Sequence, residues 1–214
     1  MKRNIIIFDV DGVLFDSSGL VTKYLAENYP DMTGDIQKKI LTGNFHEEIA
    51  KLEIVKKEET EEEKVARKLQ YAKDKSESPL YDGVKELLLD LYNKEYILVL
   101  NTSAYERNCL PMLERAEIVS LFDFIATAEV SKSKVEKFKM ITEKYDSEND
   151  VFIFVTDTLG DVREAETAEM PTIAVTWGVH DKSYFIQEPH TNLVAIVSSI
   201  DELERTIEDF IKKE

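Results

Sequence analysis

Cysteine is almost absent from this sequence: Cys109 is the only one in 214 residues, so no disulfide can form within the chain. Basic residues are also scarce, because 27 Lys and Arg stand against 43 Asp and Glu and give a formal net charge of −16. Such an acidic chain argues against nucleic acid and anionic membranes as partners. No apolar run approaches the roughly 20 residues that span a bilayer, and the first is too short for a signal peptide. We therefore expect a cytoplasmic protein.

Glycine is scarce as well, with seven residues in the whole chain. No glycine-rich loop follows the first apolar run, and this absence disfavours a dinucleotide-binding dehydrogenase. The hydrophobic content of 43% is sufficient for a real core. The length suits one domain with a sizeable insertion, or two small domains.

Short apolar runs that are typical of buried strands alternate with helical patterns along most of the chain. Strands are predicted at 5–8, 96–101, 122–127, 151–155, 172–176 and 193–197, and helices at 82–94, 104–118, 134–145, 160–169 and 200–212. Strands that alternate with helices imply a parallel sheet. We therefore predict an α/β protein built on a Rossmann-like, doubly wound parallel sheet.

The segment after the first strand has helical patterns only. These patterns cover 18–29, 33–41 and 46–75, and the last of them includes Val65, Leu69 and Ala72. A break in the last pattern is expected near Glu59–Thr60. We predict an all-helical cap domain at 16–79, inserted into a core domain formed by 1–15 and 80–214.

Reactive side chains follow the predicted strands. The sequence places Asp9 and Asp11 after the first strand, Asn101, Thr102 and Ser103 after the second, and Asp157 and Asp161 after the fourth, while Lys132 and Lys134 precede a helix. The carboxyl ends of parallel strands face one edge of the sheet, so these groups should converge there. This convergence is stronger evidence for a site than any single motif.

The converging groups suit phosphoryl transfer. Asp9 would attack phosphorus, and Asp11 would protonate the leaving oxygen and then activate water. A hard divalent cation such as Mg²⁺ would hold Asp9, Asp157 and phosphate oxygens together. Thr102 and Lys134 would bind the phosphoryl oxygens.

Backbone groups could complete this phosphate cradle. Gly12 allows a sharp turn, and N–H groups near Val10–Gly12 could face the phosphate. Ser103 and Glu106 are spaced as a capping box, which predicts a helix whose positive end points at the site. His46 lies in a loop-like break of the cap and is a candidate for substrate contact.

Four stretches, in order along the chain, resemble the motifs of the haloacid dehalogenase (HAD) superfamily, which consists mostly of phosphatases. DVDGVLFDS resembles the first motif, LNTS the second, SKSKVEKF the third and VTDTLGD the fourth. The resemblance covers the chain outside the helical block, which stands where the family's C1 cap lies. Dehalogenases of the family lack an acid two residues after the nucleophile, so Asp11 indicates phosphate chemistry.

The resemblance implies a role for each matching residue. Asp9 would be the nucleophile and Asp11 the acid/base, while Thr102 and Lys134 would bind phosphate. The implied metal ligands are Asp9, the main-chain carbonyl of Asp11, Asp157 and, as a ligand or a support, Asp161.

Four positions depart from the family pattern, one of them Asp82, which replaces a common proline in the second linker. Thr156 stands where a glycine usually precedes the acid, and Val135 replaces the common proline after Lys134, so Lys132 competes for the phosphate role. Glu169 stands where a glycine often ends the helix, and a left-handed conformation there would be costly for glutamate. The remaining lysines of this region, Lys137 included, are expected to be solvated.

We predict a magnesium-dependent phosphatase, a monomer or homodimer, that hydrolyses a small-molecule phosphomonoester through an aspartyl-phosphate intermediate. A phosphomutase of the same fold is an alternative, and would need cap cations such as Lys38, Lys39 or Lys51 to face the site. A non-catalytic binding or regulatory protein is a further alternative, which the intact Asp9 and Asp11 disfavour.

Overall fold

A computed structural model describes residues 2–29, 33–51, 59–145 and 148–214. Its strands are β1 (Asn4–Phe8), β2 (Ile97–Asn101), β3 (Phe122–Ala126), β4 (Val151–Thr156), β5 (Thr172–Val175) and β6 (Leu193–Val197). All pair in parallel, in the order β3-β2-β1-β4-β5-β6. The prediction of a doubly wound parallel sheet is confirmed.

Ten α-helices are present among the described residues. They are α1 (Ser18–Asn28), α2 (Gly34–Ile40), α3 (Phe45–Lys51), α4 (Glu61–Ser76), α5 (Val84–Asn93), α6 (Glu106–Arg115), α7 (Lys134–Lys144), α8 (Leu159–Thr167), α9 (Lys182–Phe185) and α10 (Ile200–Ile211). None of these helices is long and apolar enough to cross a membrane.

The central strand β1 explains how the layers are held together. Successive residues of a strand point to opposite faces of the sheet. Ile6 and Phe8 therefore pack with α5, α6 and α10 on one face, and Ile5 and Ile7 pack with α7 and α8 on the other. Because both faces are covered, all four side chains are fully buried.

The helices α1 to α4 account for the cap segment, which we define as residues 16–79. Phe15 pairs with Leu80 in an isolated bridge, so the chain leaves and re-enters the core at adjacent points. Thr60 caps α4 and exchanges hydrogen bonds with Glu63, which confirms the predicted break. The predicted helix over 46–75 also includes 52–58, which lie outside the described residues. The division into two domains stays a prediction.

Within α4 the helix is confirmed, but the buried face is not the one its apolar residues suggest. Val65 is 53% exposed and Leu69 is 67% exposed. The inward face instead carries Lys75, which is buried, and Tyr71, which packs on Tyr24 at 4.2 Å between ring centroids. The ion pair between Lys75 and Asp11 ties this inward face to the core.

The predicted capping box of Ser103 and Glu106 is wrong. Helix α6 begins at Glu106, its N-cap is Tyr105, and no side chain of the N-cap residue caps it. The carboxylate of Glu129 accepts the Glu106 N–H at 3.0 Å instead. A distant side chain thus supplies the cap, which local spacing could not reveal. Glu169 adopts the left-handed conformation that is costly for glutamate, with a φ of 53°.

Candidate active site

The segments that follow β1 and β4 meet around the ammonium group of Lys134. Lys134 Nζ lies 2.7 Å from Asp9 Oδ2 and 2.6 Å from Asp161 Oδ2, and the lysine is completely buried. Lys132 is exposed. The structure therefore brings Lys134, rather than Lys132, to the predicted nucleophile.

Asp9 is held at the end of β1 by both its backbone and its carboxylate. Its N–H donates to the Val155 carbonyl at 3.0 Å and so continues the ladder with β4. Its Oδ1 accepts the Val10 N–H at 2.7 Å. Burial raises the pKa of Asp9, opposed by the positive charge of Lys134. Burial lowers the pKa of Lys134, but the negative charges of Asp161 and Asp9 outweigh this effect and raise the pKa above its usual value.

Asp157 approaches Asp9 from the end of β4 and carries an unpaired oxygen. Its Oδ2 accepts the Val179 N–H at 2.8 Å, whereas its buried Oδ1 has no hydrogen-bond partner among the described residues. Burial, and then the charge of Asp9, raise its pKa well above the usual value. Two glycines leave room for this carboxylate: a Cβ on Gly12 or Gly178 would lie 2.0 or 2.3 Å from Asp157 Oδ2.

These features fit a hard divalent cation. A buried carboxylate oxygen without a partner, beside a second acid of raised pKa, is the donor set that Mg²⁺ uses. Asp161 is less available, because its Oδ2 already accepts from Lys134 and from Thr156 Oγ1 at 2.7 Å. That hydrogen bond gives Thr156 a function where the family usually has glycine.

A second acidic cluster lies elsewhere on the molecule. Within the described part of the chain, three acidic oxygens come within 4.8 Å of one another only at Asp90, Glu204 and Glu208. Lys94 forms ion pairs with all three of them. This cluster therefore surrounds a lysine and shares no residue with the converging strand ends.

Asp11 is held by two residues from the cap segment. Its Oδ1 accepts from Ser17 Oγ at 2.5 Å, and its Oδ2 lies 2.7 Å from Nζ of the buried Lys75. Sequence reasoning missed Lys75. The only signal was its spacing, four residues after Tyr71 on the same helix face.

Thr102 and Ser103 form a short loop at the end of β2. The Thr102 hydroxyl accepts the Ala104 N–H at 3.1 Å, so its own hydrogen remains available to a bound oxyanion. Ser103 Oγ has no hydrogen-bond partner among the residues that the structure describes. The Ser103 carbonyl lies 3.2 Å from His46 Nε2.

His46 is part of α3 rather than a loop, so that expectation is wrong. Its ring makes edge contacts with Phe45 and Tyr105, at 5.5 and 6.2 Å between centroids. Burial lowers its pKa, so the ring is neutral near pH 7 and donates from Nε2 to the Ser103 carbonyl. His46 thus connects the cap segment to the predicted phosphate loop.

Two further expectations need correction. Lys137 is not solvated but completely buried, and its Nζ donates to the Thr102 carbonyl at 2.5 Å. Gly12 does not offer its N–H to the site, because that group donates to the Phe15 carbonyl at 3.0 Å. The contribution of Gly12 is instead the space that it leaves for Asp157.

A cavity of about 640 Å³ extends from these groups into the cap segment. Asp9, Asp11, Thr102 and Asp157 lie at its base. Its upper walls include Leu25, Lys38, Phe45, His46, Lys68, Tyr71 and Tyr105. A phosphate at the strand ends would therefore have room for a small attached group.

The cap segment contacts the core on the far side of the cavity through His180. This residue is completely buried, its Nδ1 accepts the Leu159 N–H at 2.9 Å, and its Nε2 donates to the Lys38 carbonyl at 2.9 Å. The Gly160 N–H donates to the Leu41 carbonyl nearby, also at 2.9 Å. Sequence reasoning gave His180 no role, since no local motif marks it.

Comparison with known proteins agrees with this geometry. A family model described as haloacid dehalogenase-like hydrolase matches residues 6–175. The tyrosine-protein kinase PtkA of Mycobacterium tuberculosis is 29% identical over 212 residues, 95% of this chain and 72% of that protein. The phosphoglycolate phosphatase of Synechococcus elongatus is 25% identical over 186 residues, 85% of this chain and 87% of that protein.

A solved structure extends the similarity to three dimensions. The crystal structure of a predicted phosphatase from Clostridium acetobutylicum has a TM-score of 0.69 and 25% identity, and the match covers 98% of this chain and 100% of that one. The family match includes the ends of β1, β2 and β4, where Asp9, Thr102 and Asp157 lie. The chain belongs to the haloacid dehalogenase-like hydrolase family.

Proposed function

We propose that this protein is a magnesium-dependent phosphatase that hydrolyses a small-molecule phosphomonoester through an aspartyl-phosphate intermediate. The observation that carries the proposal is the unpaired, buried Oδ1 of Asp157 beside the Asp9–Lys134 ion pair. Such a site combines a candidate nucleophile, a fixed positive charge and an unpaired carboxylate oxygen that could bind a cation. The similarity to a phosphoglycolate phosphatase supports a small phosphomonoester as substrate.

The chemistry requires two half-reactions, and the chain supplies a group for each. In the first, an Asp9 carboxylate oxygen attacks phosphorus, the bond to the ester oxygen breaks, and Asp11 donates a proton to the departing alkoxide. In the second, the Asp11 carboxylate removes a proton from water, which attacks the aspartyl phosphate and releases inorganic phosphate. Ser17 and Lys75 hold the Asp11 carboxylate for both transfers.

The phosphoryl oxygens need positive partners, because negative charge is redistributed on them as the group transfers. Lys134 supplies a permanent charge, and the Thr102 hydroxyl and Ser103 supply hydrogen-bond donors. The cap segment covers the cavity and limits the entry of water.

The bound metal would be held by Asp9, Asp157 and the main-chain carbonyl of Asp11, with Asp161 as a further ligand or as support. Mg²⁺ would supply charge neutralisation that allows Asp9 to approach an anionic phosphate. Asp161 already accepts hydrogen bonds from the Lys134 ammonium and the Thr156 hydroxyl. These contacts favour a role for Asp161 in orienting Lys134 rather than in binding the metal directly.

The test is hydrolysis of 4-nitrophenyl phosphate and a panel of metabolite phosphomonoesters, with and without magnesium, by wild type and by Asp9→Asn. The variant keeps the shape of the side chain but removes the nucleophilic charge, so we expect kcat to fall on the order of 10³-fold or more. Asp16→Asn is the matched control, because it removes the same charge from an exposed residue of the same loop. Unchanged turnover by Asp9→Asn would exclude Asp9 as the nucleophile.

Phosphoryl transfer to another acceptor remains an alternative. A phosphomutase would need cap cations in the cavity, and Lys38 does line it, whereas Lys51 pairs with Glu48 on the surface. Similarity to a tyrosine-protein kinase over 95% of this chain favours testing a tyrosine acceptor as well. Transfer of labelled phosphate to sugar phosphate or to peptide tyrosine, rather than to water, would favour these alternatives.

A further inference from the structure

Lys137 is a buried lysine that the proposed reaction does not use. It lies one helical turn after Lys134 on α7 and has no exposed surface. Its Nζ donates to the main-chain carbonyl of Thr102 at 2.5 Å, and no carboxylate among the described residues forms an ion pair with it. Burying an ammonium group against a neutral carbonyl is costly. A fold that keeps such a residue retains a charge for a reason other than stability.

The charged groups around Lys137 are already committed to other partners. Asp9 and Asp161 pair with Lys134. Glu164 on α8 accepts from Asn44 Nδ2 and from the Lys134 N–H, both at 2.9 Å. His46 on α3 is the remaining titratable neighbour, and the charge of Lys137 helps to lower its pKa, after the larger effect of burial. None of these carboxylates therefore pairs directly with Lys137, although the charges of Asp9, Asp161 and Glu164 act on it without a hydrogen bond.

The contact of Lys137 sets the geometry of the phosphate loop. Lys137 fixes the Thr102 carbonyl from the core side, and His46 contacts the Ser103 carbonyl from the cap side at 3.2 Å. With both carbonyls engaged by these two donors, the Thr102 hydroxyl and the Ser103 side chain stay at the base of the cavity, which both residues line.

We propose that Lys137 is a positioning residue that fixes the Thr102–Ser103 loop for phosphate. The inference rests on the proposed function, since it names how that site recognises its anion. Lys137 itself stays beneath the loop and acts on the substrate through Thr102.

The titration of Lys137 provides an independent readout. Burial, and then the charge of Lys134, lower the pKa of Lys137 to about 8, against the opposing charges of Asp9, Asp161 and Glu164. Lys137 is therefore charged below that pH and loses its charge above it. We expect phosphate binding by the wild type to weaken as the pH rises through this range.

The experiment compares wild type, Lys137→Met and Lys137→Arg, with Lys139→Met as a control that removes an exposed lysine from the same helix. Two quantities are measured as functions of pH: kcat/KM for 4-nitrophenyl phosphate, and the affinity for inorganic phosphate by calorimetry.

For Lys137→Met at neutral pH we expect kcat/KM to fall on the order of 10²-fold, because the loop shifts. Phosphate affinity should fall about tenfold, and the loss of affinity above pH 8 should vanish. Lys139→Met should match the wild type.

Thermal stability separates positioning from a structural role. Because its pKa is lower in the folded protein, charged Lys137 destabilises the fold at neutral pH. Lys137→Met should therefore have a Tm equal to or above that of the wild type while binding phosphate more weakly. Lys137→Arg keeps a permanent charge, so it should recover part of the phosphate affinity. Its phosphate affinity should not fall above pH 8, because arginine does not lose its proton there.

Two results would overturn the inference. One is a folded Lys137→Met whose phosphate affinity and kcat/KM lie within twofold of wild type. The other is a lower Tm with unchanged affinity per folded molecule, which would make Lys137 structural. A wild type that binds phosphate in a Lys137-dependent manner but hydrolyses no ester would sustain the inference and refute the proposed phosphatase. A wild type that binds no phosphate would refute both.

Discussion

At the scale of the residue, the absence of a side chain matters as much as the reactive groups do. Gly178 illustrates this, because a Cβ there would lie 2.3 Å from Asp157 Oδ2 and 2.5 Å from the Gly12 carbonyl. Both distances are far below van der Waals contact, so an added methyl group must displace the carboxylate. The position of Asp157 therefore depends on a residue that has no functional group.

We expect Gly178→Ala to raise the magnesium concentration needed for half-maximal activity and to lower kcat/KM on the order of 10²-fold, because a displacement of about 1 Å has that effect. The measurement is a magnesium titration of 4-nitrophenyl phosphate hydrolysis. Gly19→Ala is the matched control, since its Cβ would meet nothing within 4 Å. Equal magnesium dependence in the two variants would contradict the placement of Asp157 beside Gly178.

At the scale of the element, α4 carries a charge into the core. Lys75 lies near its C-terminal end, is 2% exposed, and pairs with Asp11 Oδ2. The same carboxylate accepts from Ser17, just before α1. The two ends of the cap segment thus converge on the proposed acid/base.

We expect Lys75→Met to lower kcat/KM about 10- to 100-fold, because Asp11 loses one of the two donors that orient it and proton transfer depends on that orientation. The Lys75→Met variant should remain folded, since methionine fills most of the volume of the lysine side chain. The comparison is with Lys73→Met, an exposed lysine on the same helix, assayed on the same aryl phosphate. If both variants retained wild-type activity, the ion pair would have no part in the reaction.

At the scale of the whole molecule, buried acids make stability depend on pH and on metal. Burial raises the pKa of Asp9 from 3.8 to about 7, against the charge of Lys134. Burial, and then the charge of Asp9, also raise the pKa of Asp157 well above its usual value. A raised pKa means that folding takes up protons. The stabilisation is complete below pH 3.8 and lost as the pH rises through about 7.

Without divalent cations we therefore expect the Tm to fall between about pH 5 and about pH 8, and magnesium to raise it more at the higher pH, because the metal needs ionised ligands. Differential scanning calorimetry with and without magnesium measures both effects. Asp157→Asn should weaken both the fall in Tm with pH and the effect of magnesium on Tm, because it removes one of the two acids. A magnesium effect of equal size in wild type and Asp157→Asn would exclude Asp157 as a ligand.

The sheet and the order of the groups on its edge could be predicted from the sequence alone. Continuous apolar runs such as Ile5–Phe8 and 151–155 can be satisfied only by burial on both faces, which requires a parallel sheet covered by helices. Once the sheet is parallel, its strand ends share one edge, so Asp9, Thr102 and Asp157 had to converge. These inferences rest on local pattern and on a general rule of topology.

The lysines that contact the site could be identified only in the folded molecule. Lys132, Lys134 and Lys137 share one short stretch of similar composition, yet one is exposed, one pairs with Asp9, and one fixes the Thr102 carbonyl. The Lys75–Asp11 pair likewise joins residues 64 positions apart. Such contacts depend on the rotation of a helix about its axis and on partners distant in the chain. A residue's own sequence neighbourhood contains neither, so the burial of these charges became visible only in the folded molecule.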